Sequence, residues 1–230
     1  MTLVGGSIPE LADGKLYNTC CVYGPDGSLL AAHRKVSHAC IVTLYLCCTC
    51  TIHYSFCHDC FHTFSKVHLF DIDIPGKITF KESDTLTAGN ALTLVHTPAG
   101  CLGIGICYDV RFAEMAMLYA SQGAQLLIYP GAFNRVTGPA HWELLLRARA
   151  VDNQLYVAGC GPACVPESGF EAWGHSTVVG PFAEVLAAAE DGPAVIVAEV
   201  EYAQVETRRA NIPVRNQKRF DLYRAVDAVV

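Results

Sequence analysis

What most limits the fold of this chain is the rhythm that follows His68, where short apolar runs alternate with amphipathic helical stretches. Residues 91–96 alternate weakly between apolar and polar, while 101–107, 125–129 and 155–160 are apolar runs of strand length. Between them, Phe112, Met115, Ala116 and Tyr119 recur at one-face helical spacing before Gly123, and Trp142, Leu145 and Leu146 do so after Pro139. Strand and helix in alternation predict a layered α/β sandwich with mixed sheets. Residues 173–180, 184–188 and 193–200 read as further strands, 202–210 as a helix and 212–223 as an extended arm. Upstream, the opening MTLVGGSIPE reads as a strand, and 17–22 and 28–32 flank the hairpin-type turn Gly24-Pro25-Asp26-Gly27. With no repeat and no linker, 230 residues of 24.8 kDa fit one domain spanning 1–230.

A net charge of −6 without a block of lysines or arginines leaves no electrostatic footprint for nucleic acid or an anionic membrane. The first residues lack the basic start, apolar middle and small-residue cleavage site of a leader. No uninterrupted apolar run reaches membrane-spanning length. The expectation is a soluble cytoplasmic protein with small-molecule or protein partners, its twelve cysteines thiols, metal ligands or a nucleophile rather than bridges.

The stretch CIVTLYLCCTCTIHYSFCHDCFH, residues 40–62, holds six of those cysteines and three histidines. Cys47-x-x-Cys50 and Cys57-x-x-Cys60 are pairs of the kind that hold structural zinc, though their separation is shorter than a zinc ribbon's. His58 or His62 can substitute for a cysteine in a tight site. No helix pattern follows either pair, which disfavours a thioredoxin-like redox motif. The alternative is an apolar insertion without a function.

Elsewhere chemistry concentrates in GIGICYDVRFAEM, residues 103–115. Cys107 stands where a buried strand stops and an amphipathic helix is about to begin. Helix N–H groups there lower a thiol's pKa and offer donors to a developing oxyanion. The alternative is one more buried cysteine acting as a small hydrophobe.

GGSIPE (5–10), GKLYNTC (14–20), GPDG (24–27), HLFDIDIPGKITFKES (68–83), GIGICYDVRF (103–112), YPGAFN (129–134), GPAHWELL (138–145), RAVDNQLYVA (149–158), WGHSTVV (173–179), IPV (212–214) and KRFDLY (218–223) appear in this order. Together they resemble the nitrilase superfamily of carbon–nitrogen hydrolases, and closely its omega-amidase branch. The resemblance implies an α-β-β-α sandwich with a Glu–Lys–Cys triad and hydrolysis of the terminal amide of small dicarboxylic monoamides, such as 2-oxoglutaramate and 2-oxosuccinamate. It also implies a homodimer and no cofactor. The nucleophile falls on Cys107, an oxyanion donor on the Tyr108 N–H, and the second family glutamate on Glu82. Without the resemblance, Glu82 reads as an exposed loop carboxylate. Arg111 is a candidate partner for a substrate carboxylate or a surface ion-pair residue. His141 packs or caps near the site, and Glu143 buttresses the lysine; spaced two apart on a helix, they form no joint ligand pair.

Two departures from the family pattern matter. Relatives begin with a strand, a helix, a strand ending in the primary glutamate and another helix, all before the GGSIPE strand, so no residue here takes the general-base position. Glu10 belongs to a matched segment and cannot be moved there. Losing a general base alone costs about a hundred- to ten-thousand-fold in rate, so a catalytically inactive chain is the rival reading. A zinc-stabilised interaction module is a third. An uncovered leading edge also implies marginal stability. The second departure is an insertion at 36–66. Excising 36–66 or 35–65 leaves the same string, HRKVHLFDIDIPG, so the catalytic lysine is Lys66 or, alternatively, Lys35. The run begins Val-Ser and its residue types have pyrimidine-rich codons, as the translation of an intron would give.

Overall fold

The computed structural model describes residues 1–35, 40–46, 63–65, 68–75, 78–88, 91–164 and 170–223. Lys66, Cys47, Cys50, Cys57 and Cys60 lie outside these residues, and of Lys35 only the backbone is described.

The first sheet is built on an antiparallel meander of β1 (Thr2–Ala12), β2 (Lys15–Tyr23) and β3 (Leu29–Lys35). Asp13 and Gly14, at φ 50° and 71°, form the two-residue turn that matches strand twist between β1 and β2. The second turn is closed by Gly24 and Gly27, with the Asp26 carboxylate accepting from the Ser28 N–H and hydroxyl. Two strands from within residues 36–66 flank the meander: β4 (Cys40–Leu46) runs antiparallel on β1, and β5 (Thr63–Ser65) parallel on β3. A separate ribbon joins β6 (Asp71–Ile74) to β7 (Ile78–Lys81).

The second sheet contains β8 (Thr93–Thr97), β9 (Gly100–Ile104), β10 (Leu126–Pro130), β11 (Tyr156–Cys160), β12 (Thr177–Val179) and β13 (Val185–Ala188), in the order β13-β12-β11-β10-β9-β8. Its centre is parallel: β9, β10 and β11 run together, joined by crossover helices α1 (Ala113–Ser121) and α2 (Thr137–Asn153). Parallel strands need such crossovers and are buried on both faces, which is why they carry little polar alternation.

Two apolar layers result. Val4, Cys20, Val22 and Ala31 of the first sheet meet Leu102, Ile104, Leu126, Ile128 and Tyr156 of the second. On the opposite face of the second sheet, Leu127, Tyr129 and Val157 pack against Met115, Tyr119, Trp142 and Leu146 from α1 and α2. Each fully buried aliphatic side chain contributes about 1.5–3 kcal/mol. Burial pushes the Cys20, Cys101 and Cys160 thiols up, so these cysteines behave as small neutral hydrophobes.

The strands expected at 91–96, 101–107, 125–129 and 155–160 correspond to β8–β11. Helix α2 starts at Thr137, two residues before Pro139, because Asn134 Oδ1 accepts the N–H groups of Val136 and Thr137. Pro139 then occupies the first turn, where no donor is required. Residues 193–200 are corrected: Ile196, Ala198 and Val200 pack inward and Val195 and Val197 point out, the alternation of a strand, but no ladder forms among the described residues. The arm at 212–223 includes a short helix, α4 (Val214–Gln217), after α3 (Tyr202–Asn211).

Candidate active site

The carboxyl ends of parallel strands are where open α/β sheets place their sites, and Cys107 lies just past the end of β9. It opens a single 3-10 turn, Cys107–Arg111, and is left-handed at φ 51°. A non-glycine residue held so costs about 1–2 kcal/mol, which surrounding contacts must offset. Asp109 supplies two of them: its N–H donates to the Ile106 carbonyl at 3.1 Å, and its carboxylate accepts the Ile106 N–H at 2.9 Å. The far end of the turn is held from α2 by Arg149, whose buried guanidinium donates to the carbonyls of Val110 and Arg111 at 2.9 and 3.1 Å. Just past the end of β10, Gly131 lies directly against the turn, where an added Cβ would sit 2.6 Å from Cys107 Cα.

The half-buried Cys107 thiol faces the Ala132 carbonyl at 3.6 Å. Tyr108, which follows it, meets Phe70 edge-on at 5.0 Å and Phe112 at 5.2 Å. Glu82 is buried rather than on an exposed loop, opening the short 3-10 turn Glu82–Asp84, and its carboxylate accepts the Phe70 N–H at 2.7 Å. Glu82, Phe70, Tyr108 and Cys107 therefore form one contiguous chain of contacts.

Arg111, four residues beyond the thiol, lies over the Phe133 ring at 4.8 Å and donates toward His141 Nδ1 at 3.3 Å. Burial pulls the Arg111 pKa down from its ordinary value, while Cys107 and Tyr108 act in the opposite direction. The guanidinium is thus partly desolvated and within electrostatic reach of the thiol. His141 is brought to this rim by its contact with Arg111. Glu143 is not: it is exposed on α2 and pairs with Arg147 at 3.2 Å, one helical turn away. Glu10 is also engaged elsewhere, in a bidentate pair with Arg34 at 2.7 and 2.8 Å and in a hydrogen bond from Thr19.

Sequence reasoning passed over three residues that the fold gathers behind Cys107. His33 of β3 is fully buried, with Nδ1 2.8 Å from Thr93 Oγ1 and Nε2 3.6 Å from Asp109 Oδ2. His68 stacks on Phe112 and brings Nδ1 to 3.2 Å from Asp109 Oδ1. All three stand inside strings singled out above, but residues 33, 68 and 109 share no local period. A cavity of about 240 Å³ is lined by residues including Cys160, Gly161, His175, Ser176 and Glu190, and by none of Cys107, Glu82, Arg111 or His141. One lining residue, Cys160, accepts the Gly131 N–H at 2.9 Å. No group of three or more metal-ligating side chains occurs among the described residues.

The carbon–nitrogen hydrolase family model matches residues 62–210. The chain is 55% identical to the chloroplastic omega-amidase of Arabidopsis thaliana over 227 residues, covering 99% of this chain and 53% of that protein. It is 50% identical to omega-amidase NIT2 of Bos taurus, covering 97% of this chain and 70% of that one. The chain thus spans about half the length of the plant relative and more of the animal one. Saccharomyces cerevisiae Nit3, a member of branch 10 of the nitrilase superfamily, superposes with a TM-score of 0.74 at 41% identity, covering 94% of this chain and 66% of that one. A cysteine on a left-handed turn at the end of a central parallel strand, in a two-sheet sandwich with this degree of likeness, places the chain in the carbon–nitrogen hydrolase family of the nitrilase superfamily, in its omega-amidase branch.

Proposed function

We propose that this chain carries the site of an omega-amidase-type hydrolase, with Cys107 as nucleophile. The thiolate attacks the amide carbonyl carbon and forms a C–S bond. The proton that left the thiol is delivered, by way of solvent, to the amide nitrogen as the tetrahedral oxyanion collapses, so the C–N bond breaks, ammonia leaves and a thioester remains. Water then cleaves the thioester, releasing a carboxylate and restoring the thiol. The Tyr108 N–H and the ammonium of Lys66, or alternatively Lys35, stabilise the oxyanion, and Glu82 helps hold the lysine or the substrate. Arg111 receives the distal carboxylate of a dicarboxylic monoamide, for which 2-oxoglutaramate is the reference substrate.

The observation that carries this reading is the half-buried Arg111 guanidinium, on the same turn as Cys107 and over the Phe133 ring. A partly desolvated fork of donors one turn from a nucleophile suits a substrate with an anionic end. The His141 contact orients that fork. A cytoplasmic homodimer acting without cofactor, a single domain over 1–230 and an insertion at 36–66 belong to the same proposal. A catalytically silent chain is the second reading, favoured by the engagement of Glu10 with Arg34 and Thr19.

Ammonia release from 2-oxoglutaramate tests the first reading. Release that disappears in Cys107→Ala supports it, and no release from a folded chain supports the second. Arg111→Ala should raise KM for the carboxylate-bearing amide about ten- to hundred-fold, the worth of a charge-assisted hydrogen bond. It should leave KM for an uncharged amide unchanged.

A further inference from the structure

The geometry points to Asp109 as the positioning residue that holds Cys107 in its left-handed turn and ties that turn to two other segments. This inference rests on the reading of Cys107 as nucleophile. The Asp109 carboxylate is fully buried, and its partners among the described residues include Ile106, His33 and His68, from three parts of the chain. Oδ2 accepts the Ile106 N–H at 2.9 Å and lies 3.6 Å from His33 Nε2 on β3, and Oδ1 is 3.2 Å from His68 Nδ1.

A buried carboxylate is costly unless its oxygens are occupied by donors, and here they are aimed at groups fixed by other contacts. His33 is anchored by Thr93, and His68 by its stacking on Phe112, which closes the same turn. Asp109 therefore acts on Cys107 from both sides. The Asp109 N–H and carboxylate close a ring over Ile106 and Cys107, imposing the unfavourable φ, and the histidines stop the turn from sliding along β9. The Asp109 side chain takes no part in bond making; it fixes where the sulfur points. Through His68 it also fixes the loop leading to Phe70 and so to Glu82.

Two variants and two measurements test this. Asp109→Asn keeps the shape but leaves one acceptor oxygen; Asp109→Ala removes both. Displacing a reacting atom by about 1 Å costs about a hundred-fold in rate, so kcat should fall by about that in Asp109→Ala and less in Asp109→Asn, with KM little changed. Alkylation of Cys107 by iodoacetamide, located by peptide mass spectrometry, should change in the same order, while near-ultraviolet circular dichroism of Asp109→Asn stays that of the parent. If Asp109→Ala does not fold, Asp109→Asn decides alone. A folded Asp109→Asn chain with parental kcat and parental Cys107 alkylation overturns the inference. If the parent shows no turnover, the amidase reading has failed. The alkylation rates then decide the positioning role by themselves: slower or faster labelling in Asp109→Asn upholds it, and unchanged labelling refutes it.

Discussion

Replacing Gly131 by alanine puts the smallest possible obstacle against the nucleophile. The added Cβ would lie 2.6 Å from Cys107 Cα, 2.9 Å from its Cβ and 3.1 Å from its N. Ordinary carbon–carbon contact is about 3.5–4.0 Å, so the two backbones must part by about 1 Å. Neither side yields cheaply. Gly131 is tied to the Cys160 carbonyl at 2.9 Å, and the Cys107 turn is held by Asp109 at one end and Arg149 at the other. Overpacking of this kind costs about 1–3 kcal/mol. At about 2–4 °C per kcal/mol for a chain of this size, calorimetry should show a clear fall in the melting midpoint. The kinetic effect should be larger, because moving a nucleophile by about 1 Å costs about a hundred-fold. Ammonia release should show the loss in kcat, with KM for 2-oxoglutaramate nearly unchanged. A Gly131→Ala chain with parental midpoint and parental kcat would refute the close packing of Gly131 on the turn.

Arg149→Met removes the donors from two buried carbonyls of the Cys107 turn and should destabilise the fold by about 2–3 kcal/mol, read as a lower urea midpoint. Glu143→Ala deletes only an exposed pair with Arg147, so stability should move by no more than about 0.5 kcal/mol and kcat/KM should not change. Loss of activity there would restore Glu143 to the site. The hydrogen bonds from Arg34 hold the Glu10 carboxyl below its ordinary value. The folded pKa is therefore the lower one, so the pair's contribution is complete above the unfolded carboxylate pKa of about 4.3 and is lost as pH falls through the folded value. The stability difference between the parent and Glu10→Gln should be constant at neutral pH and shrink on acidification below about pH 4; urea melts giving an equal difference at both ends would contradict the pairing.

The parallel core was readable because its strands are short apolar runs and its helices carry one-face spacing, signals that survive without knowledge of the partner. The corner position of Cys107 was legible for the same reason: it is a local junction. Glu82 was not, since a carboxylate in a short loop reads as solvent-facing until Phe70 is seen to donate to it. The strand pattern at 193–200 was right about which side chains turn inward and wrong about pairing, because a ladder depends on a second segment. His33, His68 and Asp109 show the limit most clearly. Each is unremarkable in its own string, and only the arrangement of β3, the 68–70 loop and the Cys107 turn brings them within 4 Å. Asn134 is the reverse case: a capping side chain three residues before Thr137 overrides Pro139 as the marker of where α2 begins.

The central claim, that Cys107 forms a covalent acyl intermediate, is tested most directly by acid-quenching the reaction with 2-oxoglutaramate and mapping thioester adducts by peptide mass spectrometry. An adduct on the peptide containing Cys107, lost in Cys107→Ser, is the predicted result. Ammonia release with no adduct there, or with the adduct on another cysteine, would contradict it.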